Sequence, residues 1–226
     1  PATQPASTTT STVPSVTVGI TAHHLRASMA QQLAAQVDAT FVSMDTGDMT
    51  AFTNHVRCWR ELADTGSEWA VNLEDDSCPV VNFRGQLEKA LAAAPTNVVS
   101  LYIGRQRPPQ WVRKVQDAVA KAEANDACYI LANYLLHAVG VAIRTELITD
   151  MLTQLDDLKY LPVDEAIGNW CRRASQPIAY AWPSLIDHKD EMSLISHRDG
   201  QQRKPGRVAW RVGNRPTWDG ERTVQL

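Results

Sequence analysis

The sequence predicts a single α/β domain in which helices flank a mostly parallel central sheet. Short runs rich in β-branched residues, at 16–20 and 41–44, alternate with a stretch at 25–37 whose apolar residues recur at helical spacing. The length of 226 residues and the hydrophobic content of 44% suit one core of ordinary size. Ligands of such folds bind beyond the carboxyl ends of the strands, so the loop at 21–26 is a candidate pocket.

The other elements follow in order along the chain. A helix is expected at 49–64, because Phe52, Val56 and Trp59 recur on one face. Two prolines in the loop at 104–109 rule out regular structure there, and Thr145 is a suitable cap for the helix that it opens. The sequence predicts further strands at 69–73, 98–103, 128–132, 138–143 and 178–183, and further helices at 83–94, 111–124, 145–155 and 161–170.

The composition excludes several classes of protein. A formal net charge of -3 argues against a generally basic protein that coats nucleic acid. The four cysteines are scattered without a CxxC pair, which supports neither a zinc knuckle nor a disulfide scaffold. No stretch approaches the roughly 20 apolar residues of a membrane span, and no signal peptide opens the chain. We therefore expect a soluble, cytoplasmic protein.

The two ends of the chain differ from its middle. Residues 1–15 are rich in Thr, Ser and Pro and are expected to form a flexible leader before a domain at 16–200. Basic residues outnumber acidic ones seven to three between 197 and 226. The basic tail at 201–226 is expected either to stand apart from the core and serve an acceptor or close over the donor, or to dock on the sheet through Trp210 and Trp218.

An acidic motif follows the predicted strand at 69–73. Glu74, Asp75 and Asp76 repel one another, so a cation, a basic side chain or a helix N-terminus is expected beside them. On a strand Glu74 and Asp76 point the same way, and two carboxylates on one side suit Mg²⁺ or Mn²⁺. The alternative is that Asp76 or Ser77 caps the next helix.

Four segments together resemble glycosyltransferase family twenty-five, which includes lipopolysaccharide and procollagen galactosyltransferases and small phage-encoded relatives. They are Asn-His-Val-Arg-Cys-Trp at 54–59, Val-Asn-Leu-Glu-Asp-Asp at 71–76, Pro-Val-Asp at 162–164, and Pro-Ser-Leu-Ile-Asp-His at 183–188 with Ser193 following. The resemblance implies a GT-A-like (Rossmann-like) fold and metal-dependent, inverting transfer of a hexose from a nucleotide-sugar such as a UDP-hexose. For a phage-encoded member it implies the host cytoplasm.

The chain also departs from the family pattern. The Gly-Cys element that often precedes the Ser-His pair is absent, Asn54 replaces the usual Ser, and His188 stands where many members carry Gln. These departures concern the acceptor and the donor sugar more than the fold. His188 is added to Glu74 and Asp76 as a metal ligand, because neutral imidazole often binds Mn²⁺; its alternative is an ordinary surface or core histidine.

The catalytic base is expected at the start of the helix after Pro162. The resemblance places an acid there, which makes Asp164 the first choice and Glu165 the second. The helix dipole would lower the pKa of Asp164, which suits a carboxylate that is ionised at neutral pH. The alternative is ordinary capping of the helix.

Several residues are expected to contact the nucleotide-sugar. Arg26 suits the diphosphate, because guanidinium pairs well with phosphate oxygens. Thr21, His23 and His24 line the expected nucleoside pocket. Asp75 is the alternative to Glu74 for holding, with Asp76, the metal on the donor, and His137 is expected near the sugar. Each of these positions also fits a solvated surface residue, and His55 is expected to pack beneath the acidic strand.

Two other functions are compatible with the sequence. Acids at a strand end also serve Mg²⁺-dependent phosphoryl transfer, although the first strand carries no Asp nucleophile. A non-catalytic module could instead bind nucleic acid through the basic tail. The acceptor stays open between a glycan, a protein hydroxyl and a hydroxylated DNA base, and the regions expected to meet it are 104–111 and the tail.

Overall fold

The computed structural model describes residues 13–106, 108–189 and 206–226. The ten strands are β1 Val16–His23, β2 Phe41–Asp45, β3 Trp69–Glu74, β4 Ser77–Pro79, β5 Val98–Ser100, β6 Tyr129–Ala132, β7 Gly140–Arg144, β8 Ile178–Ala181, β9 Ile186–His188 and β10 Thr223–Gln225. The six helices are α1 Ala27–Val37, α2 Ala51–Ala63, α3 Phe83–Ala92, α4 Val112–Ala124, α5 Ile148–Leu155 and α6 Val163–Arg173.

Eight strands form one central sheet in the order β10-β6-β8-β5-β7-β3-β1-β2. Four of its seven pairings are parallel, and the antiparallel ones all involve β6 or β7. The predicted α/β domain with a mostly parallel sheet flanked by helices is therefore confirmed. Because β2 and β3 lie on opposite sides of β1, the chain reverses its direction of travel across the sheet there, and a crevice opens at their carboxyl ends.

Apolar side chains cover both faces of this sheet. Helices α2, α4, α5 and α6 pack one face, with Trp59 and Trp170 among the largest buried side chains. Helices α1 and α3 pack the other face. Helix α2 begins after Thr50, whose side chain accepts a hydrogen bond from the Thr53 amide at 3.1 Å. The start of α2 is thereby fixed beside the end of β2.

The acidic motif does not lead into a helix, so the capping alternative is wrong. After Asp76 the chain forms β4, which pairs antiparallel with β9 in a separate two-stranded sheet. Helix α3 begins only at Phe83. Thr145 caps no α-helix either, because a 3₁₀ turn at Thr145–Leu147 comes before α5.

The described part of the C-terminal tail belongs to the domain. Strand β10 pairs in parallel with β6 and extends the sheet. Trp218 packs on Tyr129 at 5.5 Å between ring centroids, and its Nε1 donates to Gln86 Oε1 at 3.1 Å. The backbone at Gly220 passes so close to Ala93 that an added Cβ would lie 2.5 Å from the Ala93 oxygen. The expectation that this tail stands apart from the core is therefore wrong for 206–226, and the docking alternative is correct.

Both expected ends of the chain extend beyond the described residues. Residues 1–12 of the expected leader and 201–205 of the tail lie outside the described residues. Ser15 already pairs with the fold, since its oxygen accepts from the Trp69 amide at 3.0 Å and its Oγ from the Glu68 amide at 2.8 Å.

The docking of the tail predicts a stability cost for Trp218→Ala. Losing the contact with Tyr129 and the bond to Gln86 should lower the free energy of unfolding by about 2 kcal/mol, less than for a fully buried Trp. Urea denaturation measures it. Tyr160→Ala is the matched control, because Tyr160 is 61% exposed and its loss should change the free energy by under about 0.5 kcal/mol. Equal effects of the two substitutions would contradict the docking.

Candidate functional site

A cleft of about 450 Å³ opens at the carboxyl ends of β1, β2 and β3. This is the crevice that the strand order creates, and its size lies in the usual range for small-molecule sites. Strand β1 and the following turn, the β2–α2 connection, helix α2 and the acidic motif contribute most of its wall. The lining residues are Thr21, Ala22, His23, Arg26, Asp45, Met49, Thr50, Ala51, Asn54, His55, Glu74, Asp75, Asp76, His188 and Arg207.

Glu74, Asp76 and His188 converge on one side of the cleft. Glu74 is the last residue of β3, and Asp76 lies in the turn before β4. The β4–β9 register places Ser77 opposite His188, so the imidazole comes beside Asp76 with 3.4 Å between Nε2 and Oδ2. One possible ligand atom from each of the three residues lies within 4.8 Å of the other two. The sequence-predicted metal ligands are therefore brought together.

Asp75 ties the acidic motif to β1. Its Oδ2 accepts from the His23 amide at 2.9 Å, and its Oδ1 accepts from Arg26 Nη1 at 3.0 Å. The same Arg26 nitrogen reaches Asp76 Oδ2 at 2.6 Å. Although burial alone would lower the pKa of Arg26, the charges of Asp76 and Asp75 raise it. The expected basic partner of the acids is thus Arg26.

A buried polar chain holds Glu74 in place. Thr21 Oγ1 donates to Asn72 Oδ1 at 2.9 Å, and the Asn72 amide nitrogen lies 3.4 Å from His55 Nδ1. His55 Nε2 then lies 3.2 Å from Glu74 Oε1. Because Asn72 donates to Nδ1, the proton of a neutral His55 sits on Nε2 and points at the carboxylate. His55 packs beneath the acidic strand as predicted, and it also orients Glu74.

The two acids of the cluster respond differently to this environment. Burial and the nearby charge of Glu74 raise the pKa of Asp76. Burial also favours the neutral form of Glu74, but the hydrogen bond and charge of His55 and the charges of His188 and His137 outweigh it and lower the pKa of Glu74. A second cation beside Asp76 would therefore relieve an unfavourable buried charge.

The donor atoms fit a hard divalent ion. Among the described residues, Asp76 Oδ1 and His188 Nδ1 are buried and have no hydrogen-bond partner. A buried carboxylate oxygen without a donor is costly, and a bound cation would satisfy it. Two carboxylates and one imidazole suit Mn²⁺ or Mg²⁺. Arg26 is the competing explanation, because it already neutralises part of the acidic motif.

The structure gives site positions to two residues to which the sequence analysis assigned no role: Asp45, which it did not name, and Asn54, which it named only within the resemblance. Asp45, at the end of β2, accepts from the Gly47 and Met49 amides at 2.7 and 3.2 Å, and these bonds lower its pKa. Asn54 joins three elements, since its Nδ2 donates to the Ala22 and Ser43 oxygens at 2.8 and 2.9 Å. The strand-end rule that identified Glu74 would also have identified Asp45.

The expected base and sugar contact lie outside the cleft lining. Asp164 is in the first turn of α6, where its Oδ1 accepts from the Glu165 amide at 2.9 Å, and Glu165 is exposed. Burial, with the charge of Glu74, raises the pKa of Asp164 to about 6. The expected lowering by the helix dipole is therefore wrong, because desolvation outweighs it. His137 packs edge-on against Tyr102 at 5.0 Å.

Comparisons with known proteins identify no family. No protein-family model and no curated protein matches the chain. A solved structure with a similar arrangement is the "Crystal Structure of A197 from STIV", with a TM-score of 0.45 and 9% identity over 88% of this chain and 98% of that one. Likeness this weak carries no argument about function. Within the described ranges, every helix is too short or too polar to cross a membrane.

The raised pKa predicts how Asp164→Asn changes the pH dependence of stability. The folded-state pKa of about 6 exceeds the ordinary 3.8, so the contribution of Asp164 is fully present below the unfolded value and is lost as the pH rises through 6. Asn does not ionise, so the variant does not lose this stability as the pH rises. The difference in unfolding free energy, variant minus wild type, should therefore increase by about 1 to 2 kcal/mol between pH 4 and pH 7. This is less than the full shift in pKa would give, because Asp164 keeps partial contact with solvent. Urea titrations at several pH values test this, and parallel curves would contradict it.

Proposed function

We propose that the protein is a divalent-metal-dependent glycosyltransferase that moves a hexose from a nucleotide-sugar, such as a UDP-hexose, to a hydroxyl acceptor. The observation that carries the proposal is the meeting of Glu74, Asp76 and His188 beside Arg26, in a cleft at the carboxyl ends of β1 and β3. Clefts in this position bind nucleotides in many α/β folds. The sequence resemblance to glycosyltransferase family twenty-five, with its GT-A-like fold, agrees with this assignment.

The donor end of the cleft combines acids with a guanidinium group. Glu74, Asp76 and His188 would hold Mn²⁺ or Mg²⁺, which neutralises charge on the departing diphosphate when bound. Arg26 adds a fixed positive charge on the same side. Thr21, His23 and Asp45 line the rest of the cleft, where hydroxyl groups and polar edges of a nucleoside would find partners.

Asp164 is the proposed base. Its pKa of about 6 leaves the carboxylate ionised at neutral pH yet more basic than an ordinary Asp. In the proposed step the acceptor hydroxyl gives its proton to Asp164, and its oxygen bonds to the anomeric carbon. The bond from that carbon to the diphosphate oxygen breaks, and the nucleoside diphosphate leaves with the electron pair. A single displacement of this kind inverts the anomeric carbon.

The direct test is incubation of the protein with Mn²⁺ and a panel of nucleotide-sugars. Release of nucleoside diphosphate is recorded alone and with a glycan, a hydroxylated peptide or an oligonucleotide that contains hydroxymethylated bases. The proposal expects metal-dependent release that one acceptor class accelerates. Release of inorganic phosphate from a phosphate ester, with no turnover of any nucleotide-sugar, would instead favour the phosphoryl-transfer alternative.

Asp76→Asn should abolish tight binding of Mn²⁺ while the fold is retained, because the carboxylate lies in a turn between two strands. The expected change is a loss of about tenfold or more in affinity, from removal of one charged ligand. Electron paramagnetic resonance of free Mn²⁺ measures it. Asp117→Asn on the exposed face of α4 is the control and should bind as the wild type does. Unchanged Mn²⁺ affinity in Asp76→Asn would remove the metal assignment.

Asp164→Asn should reduce transfer by roughly 10² to 10⁴, the scale for loss of a general base. Binding of Mn²⁺ and donor should stay within about twofold of the wild type, because Asp164 does not line the donor cleft. In the wild type, kcat/KM should fall as the pH drops below about 6. A variant with normal turnover would transfer the role to Glu165 or to another acid.

A further inference from the structure

A second cavity of about 510 Å³ lies where the loop after β6 meets the end of α6 and the start of β8. Asn133, Tyr134, Arg172 and Gln176 supply its polar and aromatic groups. It shares no lining residue with the donor cleft. None of the described residues that line it is acidic.

Two aromatic rings and two cations lie together at the edge of this cavity. Lys114 Nζ lies 4.9 Å from the centre of the Trp111 ring, and the Trp111 and Tyr134 rings are 4.8 Å apart. The Arg172 guanidinium lies 5.0 Å from the centre of the Tyr134 ring. Tyr134 nevertheless remains 44% exposed. Because the two rings are tilted by 49°, the four side chains form a partly open cluster in which Tyr134 is partly exposed.

Two amide side chains lie beside this cluster. Gln176 Oε1 accepts from Asn97 Nδ2 at 3.1 Å, so the Gln176 amide nitrogen still has donors to offer. Asn133 is exposed in the loop that carries Tyr134. Arg172 gives one nitrogen to Asn169 Oδ1 at 2.6 Å and retains further donors. Amides of this kind pair with the edges of nucleobases.

We propose that this cavity binds single-stranded nucleic acid, with a base on the exposed Tyr134 ring and backbone phosphates paired with Arg172 and Lys114. Base stacking on aromatic side chains and phosphate pairing with cations are the two contacts that single-strand binding proteins combine. A neutral glycan would use the ring but would gain little from two flanking cations. The positive charges of Lys114 and Arg172 therefore favour a polyanion that also carries flat bases.

The position of the cavity relates it to the proposed chemistry. Arg172 and Asp164 lie eight residues apart on α6, which is about 12 Å along the helix axis. About three or four nucleotides at stacking distance span that length. A strand held at Tyr134 would therefore place a nucleotide about three or four positions along the strand near Asp164. This placement, and the choice of a hydroxylated base as acceptor, rest on the proposed transferase; the binding site itself does not.

The test measures fluorescence anisotropy of a labelled thymidine oligonucleotide at several salt concentrations. Tyr134→Ala should weaken binding about tenfold or more, whereas Tyr134→Phe should bind as the wild type does, because stacking needs the ring alone. Arg172→Gln should weaken binding and reduce the salt slope by about 0.7, the value of one phosphate contact on a single strand. Thermal melts of each variant confirm that it is folded.

Matched controls separate this site from general charge effects. Tyr160→Ala removes another exposed tyrosine, and Arg60→Gln removes an exposed arginine from α2; both should bind as the wild type does. An abasic oligonucleotide of equal length should bind the wild type as weakly as the thymidine oligonucleotide binds Tyr134→Ala. Equal loss in the controls, no binding by the wild type, or competition by a neutral oligosaccharide would each overturn the proposal.

The two proposals fail in different ways. Oligonucleotide binding that depends on Tyr134 and Arg172, without turnover of any nucleotide-sugar, would keep the binding site and remove the transferase. Metal-dependent release of nucleoside diphosphate by a protein that binds no oligonucleotide would keep the transferase and remove the binding site.

Discussion

The antiparallel pairing of β4 with β9 is the contact on which the candidate site depends. It joins Ser77 to His188 across more than a hundred residues of sequence and so places an imidazole beside Asp76. Gly140 leaves room for β9 beside the central sheet, because a Cβ there would overlap the end of the Ile186 side chain. Without this pairing the acidic motif would keep its contacts with Arg26, His55 and the His23 amide, but the cluster would lose the imidazole of His188. The two-stranded sheet of β4 and β9 thus brings His188 to the acidic motif at the edge of the central sheet.

The cost of burying charge explains why Asp76 and Glu74 each lie beside a basic side chain. A carboxylate in the buried position of Asp76 is costly, and the neighbouring Glu74 increases the cost. Arg26 offsets part of it by pairing with Asp76 and Asp75, and His55 stabilises the charge of Glu74. These contacts leave one oxygen of Asp76 without a donor among the described residues. The remaining imbalance is the physical reason to expect a bound cation.

The sequence predicted what local patterns determine. The alternation of strands and helices predicted the α/β class, and the acids at the strand end marked Glu74 and Asp76 as candidate ligands. These two side chains do converge, but Asp76 lies in a turn, so the alternation of side chains along a strand is not the reason. Contacts between distant segments were harder. Three-residue strands such as β9 and β10 have no periodicity to recognise, and the polar composition of the tail concealed its docking through Trp218. The pKa of Asp164 was misjudged because the helix-dipole rule is local, whereas burial depends on the whole fold.

The central claim is that Glu74, Asp76 and His188 form a divalent-metal site. The measurement that tests it most directly is pulsed electron paramagnetic resonance of the Mn²⁺-loaded protein with ¹⁵N-labelled histidine. If these three residues bind the metal, Mn²⁺ should couple to a single histidine nitrogen, and His188→Gln should remove this coupling. A spectrum without histidine coupling, or one whose coupling survives His188→Gln, would contradict it.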